Sequence, residues 1–173
     1  MTKRREAVAA GLALVSCIAL TAQGPPKPAA EHQRLAYFVG QWTNQGEMKG
    51  PFGPGGKIMS TDTCEWFEGQ FAVMCRSEGK SPLGPMKSVG IISYSAEEKV
   101  YTYYAIDNSG MTMTTVQRGT VKGDTWTFTG GQKVKVRVMI KEVSPTSYTF
   151  MMEMQDADGK WAPMIESTST KSK

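Results

Sequence analysis

The sequence predicts an all-β domain, an antiparallel up-and-down barrel of about ten strands with a short helix in front of it. Three observations carry this. From Gly40 onward nearly every segment alternates apolar and polar residues with period two, the pattern of half-buried strands. Turn chemistry interrupts that alternation about every 8 to 12 residues, the spacing of sandwiches and barrels. An even number of strands then runs the last antiparallel to the first, so that the sheet can close and lose both exposed edges.

Residues 1–22 read as a cleaved leader. A Lys3-Arg4-Arg5 cluster precedes an apolar stretch from Ala7 to about Leu20 and then small residues, which is the layout of a secretory signal. That stretch falls short of the ~20 residues a membrane-spanning helix needs. Two readings of its processing stand side by side. Cleavage after Ala22 in "LTAQ" gives a soluble exported chain, whereas Leu14-Val15-Ser16-Cys17 resembles a lipobox, in which Cys17 would carry a lipid and tether the domain to the envelope. Residues 23–30, "QGPPKPAA", form a Pro-rich tether, because Pro25, Pro26 and Pro28 oppose helix. A helical turn follows from Glu31 to about Phe38, and residues 31–173 make up the single domain.

Strands are expected at 41–49, 57–68, 71–79, 86–95, 98–106, 110–119, 124–129, 132–142, 146–155 and 160–170. In a meander, successive connections fall at alternate ends, so the turns can be sorted. One end receives tight turns at Gly69-Gln70, Ala96-Glu97, Lys122-Gly123 and Ser144-Pro145. The other receives "GPFGPGG" (50–56), "GKSPLGP" (79–85), "DNSG" (107–110), Gly130-Gly131 and "DADG" (156–159). The long Gly/Pro loops therefore gather at one rim, under which Phe52, Leu83 and Asn108 would frame an entrance. Trp42, at the start of the first strand, falls at the opposite end and would plug it.

Two cysteines remain after the leader, and an oxidising compartment favours pairing them. A two-residue turn at Gly69-Gln70, with Gly first as a type II′ turn prefers, sets Cys64 directly opposite Cys75. Opposed Cα atoms lie roughly 4.5 to 5.5 Å apart, within disulfide reach.

Without residues 1–22 the chain carries 17 basic and 15 acidic residues, a net charge of +2. Lys133, Lys135, Arg137 and Lys141 alternate with Val134, Val136, Val138 and Ile140, the pattern of a solvated strand face, and no basic block supplies a nucleic-acid footprint. The single histidine, His32, sits before the barrel, where a helix-start or surface role is expected; alone it builds neither a metal site nor a Ser/His/Asp set. Glu65, Glu68, Asp107 and Glu153 are scattered over different strands, so no catalytic carboxylate pair and no cofactor motif emerges. Eleven of the twelve methionines follow the leader. Met111 with Met113, and Met152 with Met154, share strand faces, where thioethers fill adaptable pockets or, in a second reading, hold Cu(I). The same spacing nominates Tyr101, Tyr103, Met111, Met113, Phe150 and Met152 as inward residues of a cavity, because ten strands make a barrel wider than side chains alone fill.

Gly40-Gln41-Trp42 after a short N-terminal turn, leading into a ten-strand meander, resembles the calycin superfamily to which lipocalins belong. "EHQRLAYFVGQW" (31–42), "FEGQFAVM" (67–74), "GIISYSAEEKVYTYYAIDNSG" (90–110), "RGTVKGDTWTFTG" (118–130) and the terminal "STSTKSK" are more closely similar to the DUF1579 family of uncharacterised bacterial domains, over about residues 31–171. The resemblance implies a calycin-like barrel and imports no activity. It also implies a basic side chain from the last strand over the Trp; lipocalins use Arg, and here Lys171 is nearest by position. Gly40 would let the helix cross closely over the opening. The function expected is therefore an exported, non-catalytic barrel that binds a small apolar or amphipathic molecule, meeting the membrane only through its leader or a lipid on Cys17. Alternatives are a structural or protein-interaction module of the envelope with a filled core, or a Cu(I)-handling protein. Ligand identity and oligomeric state are left open.

Overall fold

The computed structural model describes residues 27–50, 54–109 and 115–172. Helix α1 (Ala30–Arg34) runs into a 3₁₀ turn (Leu35–Phe38), and ten strands follow: β1 (Gly40–Met48), β2 (Gly56–Trp66), β3 (Ala72–Ser81), β4 (Gly84–Ser95), β5 (Val100–Asp107), β6 (Gln117–Lys122), β7 (Thr125–Gly130), β8 (Val136–Ser144), β9 (Ser147–Gln155) and β10 (Trp161–Lys171). They close one barrel in sequence order, with β1 paired to both β2 and β10. Trp42 thus lies between Asp62 on one side and Lys171 on the other.

The helical segment caps one end of this barrel. Leu35, Phe38 and Trp42 are all but fully buried, and they join Tyr101, Trp126, Phe128 and Tyr148 in one cluster. Its rings meet mostly edge to face, Trp42 with Tyr148 at 4.8 Å and Tyr101 with Trp126 at 4.8 Å. The Trp42 indole donates to the Phe38 carbonyl at 2.7 Å, so a large apolar body is buried without an orphaned N–H. The cap is also laced to the turns beneath it. Arg34 donates to the Gly123 carbonyl in the β6–β7 turn at 2.7 Å, and Tyr37 Oη lies 2.8 Å from the Ser147 carbonyl at the β8–β9 turn. This end is the floor.

The close Gly-x-Trp spacing has a local cause. Val39 is extended, and Gly40 turns the chain at φ +129°, a conformation L side chains rarely adopt. A Cβ there would also stand 2.8 Å from Lys171 Cε, so Gly40 makes room for the Lys171 stem rather than for the helix. Lys171 Nζ reaches 5.0 Å from the Trp42 ring centroid, a cation–π contact from the last strand.

Cys64 and Cys75 are cross-strand partners joined by a disulfide, with Cα atoms 4.0 Å apart. The loop that sets this register differs from the expected two-residue turn. Phe67 N donates to Ala72 O and Gln70 N to Phe67 O, so four residues make the connection, with both Gly69 and Gln70 at positive φ. Both loops share one centre, and the register is the same. Two other strands depart from expectation. The sixth begins at Gln117 rather than at 110, with 110–114 outside the described residues, and the eighth begins at Val136 rather than at 132. Consequently β5 and β6 share only three register pairs among the described residues, Tyr101–Gly119, Thr102–Arg118 and Tyr103–Gln117. His32 is another correction to a surface role. It is buried, edge to face with Phe71 and Tyr94, and its Nδ1 accepts the Ala29 N–H at the helix start.

Candidate functional site

Above the floor, toward the loop-rich rim, the interior opens into a cavity of about 860 Å³. Its two walls differ in character. Strands β8 to β10, with β1 and β2, contribute Val136, Phe150, Met152, Ile165, Met48 and Ile58. Strands β3 to β6 contribute Ser81, Ser88, Tyr103, Asp107 and Gln117 among the apolar Pro85, Met86 and Ala105, so the polar groups that strands present to the cavity lie on this side. The reason lies in the inward alternation. On β9 it reads Tyr148, Phe150, Met152, Met154, whereas on β4 Met86, Ser88 and Gly90 fall on the inward face. Met48, Met86, Met152, Met154 and Met164 all line the space, so flexible thioethers make up much of its surface.

The nominated residues separate by depth. Tyr103, Phe150 and Met152 stand on the cavity wall, and Leu83 and Asn108 at its rim. Tyr101 does not line it. One inward position deeper on β5, Tyr101 belongs to the floor cluster, and its hydroxyl donates to the Glu31 carbonyl at 3.1 Å. It is a floor residue because the strand descends toward the helix in that direction. Met111, Met113, Phe52 and Cys17 lie outside the described residues. Of the paired methionines, Met152 and Met154 face in; Met151 pairs with Met139 on the other face.

Sequence reading missed the polar interior. Asn44, Ser60, Asp62 and Ser77 sit between cavity and floor. The signal was available, since Cys64 faces inward and period two then puts Asp62 and Ser60 on the same face. Ser77 Oγ donates to Asp62 at 2.5 Å, and Asn44 Nδ2 donates to Ser60 Oγ at 2.9 Å. Burial pushes the Asp62 carboxyl up, against hydrogen bonds that hold it down. Burial first, and then the nearby Asp62 and Asp107 charges, push the Tyr103 phenol up to about 12, so it is a neutral hydrogen-bonding group at physiological pH. The Tyr148 phenol, on the floor side, is pushed up chiefly by burial as well.

A floor of aromatic rings, a basic side chain over the first-strand Trp and a cavity toward the far rim define a calycin-like β-barrel. The chain belongs to the family described as a protein of unknown function (DUF1579), whose model matches residues 27–171. Among solved structures it is similar to the S-type phycobiliprotein lyase CPES from Guillardia theta, at 13% identity and a TM-score of 0.62, covering 84% of this chain and 94% of that one. It is similar also to Rv2717c from M. tuberculosis, at 13% identity and a TM-score of 0.61, covering 84% and 99%. At such identity the likeness is one of fold. No curated protein matches the chain.

Proposed function

We propose that this is an exported, non-catalytic barrel that takes up a small amphipathic molecule through its loop-rich rim. The observation that carries the reading is the two-faced cavity of about 860 Å³, within the ~300 to 1,000 Å³ of ordinary small-molecule sites. One wall offers apolar contact area to a hydrocarbon body, and the methionines let that wall adapt to shape. The other supplies hydroxyl, amide and carboxylate groups that fix orientation. The leader motif of residues 1–22 supports export, with a soluble or Cys17-tethered product according to how it is processed. One barrel of like fold bears the name of a phycobiliprotein lyase; what is carried over is the barrel, with no lyase chemistry.

The test is titration of mature protein with a solvatochromic apolar dye, alongside native mass spectrometry for retained ligand and N-terminal processing. Met152→Trp, which fills the cavity, should weaken dye binding by about tenfold or more while the fold persists. Lys141→Glu, on the exposed outer face, should leave it unchanged. Absence of dye binding, or sensitivity to Lys141 in place of Met152, rejects the cavity and favours the interaction-module alternative.

A further inference from the structure

Two oblique rows of cross-strand neighbours cross the polar side of the interior. One is Lys171, Trp42, Asp62, Ser77, Ser88 and Asp107, on β10 and then β1 to β5. The next is Tyr148, Ser169, Asn44 and Ser60, on β9, β10, β1 and β2. Barrel strands tilt, so each row climbs as it goes round. The first begins at the aromatic floor and ends at Ser88 and Asp107 on the cavity wall. The interior thus holds a continuous polar stripe that leads from the cavity down to Asp62.

Both groups at the inner end of this stripe are acceptors. Asp62 takes a hydrogen bond from Ser77, with the Asn44 and Ser60 side chains also in hydrogen-bonding reach of it. All of these partners are neutral, and among the described residues no salt bridge reaches it. Asn44 is nine-tenths buried. Its Nδ2 donates to Ser60, and its Oδ1 is buried with no hydrogen-bond partner. A buried polar atom without a partner is uncommon enough to require a reason. Tyr103 links this end to the cavity, because it lines the wall, lies across Gly90 and is within electrostatic reach of both Asp62 and Asp107. The complement to a carboxylate and an orphaned carbonyl oxygen is a group with several donors and a positive charge, and an ammonium head has three N–H donors and no acceptor. A neutral hydroxyl brings one donor, and a carboxylate head would meet like charge.

Resting on the cavity reading above, we propose that the barrel selects molecules whose apolar body ends in a protonated amine, received at the inner end of the polar stripe by Asp62 and the Asn44 amide oxygen. Asp107 sits on the same row at the mouth and gives the incoming cation its first partner. Lys133, on the cavity lining near the rim, lies on the β7–β8 connection rather than on the stripe.

The experiment displaces the bound dye from mature protein with dodecylamine, dodecanol and dodecanoate at neutral pH, each below its micelle concentration. The amine should bind about tenfold or more tightly than either of the others. Asp62→Asn should abolish that preference with the alcohol's affinity unchanged. Asn44→Ala, which keeps the carboxylate, should reduce amine affinity by about threefold or more and serves as the independent variant if Asp62→Asn does not fold. Equal displacement by all three compounds, or an amine preference that survives both variants, overturns the head-group assignment and leaves the cavity standing. A dye that never binds removes the cavity itself.

Discussion

Trp42 and Asp62 are cross-strand neighbours with opposite effects on stability. Trp42 is buried among aromatic rings with its N–H satisfied, so Trp42→Ala should cost about 3 to 5 kcal/mol in denaturant unfolding, and a cost under about 1 kcal/mol would contradict its place in the floor. Asp62 is the reverse case. Its folded pKa is raised above the ordinary 3.8, chiefly by burial, so the folded chain keeps this proton to higher pH than the unfolded chain. Its contribution is therefore most favourable in acid and is lost as pH rises through the folded pKa. Tyr103 and Tyr148, its titratable neighbours, have raised pKa values themselves and stay neutral across that range. In the absence of ligand, Asp62→Asn should melt higher than wild type at pH 7, with the difference shrinking in acid and vanishing below the unfolded pKa of 3.8. Equal melting temperatures across that range would show the carboxylate to be well solvated. The two residues also mark what was legible at this scale. Trp42 could be placed from its position at the start of a strand, whereas Asp62 reads as a surface acid until the inward direction of Cys64 is known. His32 was obscured in the same way, since its burial depends on Phe71 and Tyr94, both far along the chain.

Among the elements, the β2–β3 hairpin was readable to the residue pair because a loop centred between Gly69 and Gln70 fixes Cys64 against Cys75 whatever its length. Mature protein denatured without reductant should show no free thiol from this pair, and Cys64→Ser should cost about 2 to 3 kcal/mol, because the loop it closes is short. The boundaries of the sixth and eighth strands were the illegible part. Alternation in "QKVKVRV" continues through residues 132–135, which lie in the β7–β8 connection, and period two says nothing about where a neighbour stops pairing. That shortfall makes a prediction of its own. With three register pairs between β5 and β6, amides of this seam should exchange with deuterium faster than those of β3 and β4, whose register pairs run from Ala72–Ser93 to Ser81–Gly84. Uniform protection around the barrel would contradict a weak seam.

For the whole molecule, sorting turns by end anticipated which end is roomy, because connection length alternates in a meander and the long Gly/Pro connections all fall on one side. How the interior divides into an apolar and a polar wall was beyond that reasoning, since it needs the register of all ten strands at once. The floor is held as a unit by side chains reaching the turns. Removing one of them, in Tyr37→Phe, should cost about 1 kcal/mol through the lost hydrogen bonds to the β8–β9 turn, measured by urea unfolding.

The pairing of Trp42 with Lys171 ties nearly the first residue of the sheet to nearly the last. Such closure gives the fold a high contact order, and the loop joining those ends is the longest the domain must form. During synthesis the chain cannot complete its sheet until β10 has emerged, so nascent lengths ending before Trp161 keep β1 and β9 as open edges. Arrested chains of increasing length should therefore gain native Trp42 fluorescence in one late step, after the C-terminal strand is released, instead of gradually as strands are added. The vessel and its contents are separated in time, because no amphipathic molecule can be enclosed before the last strand arrives.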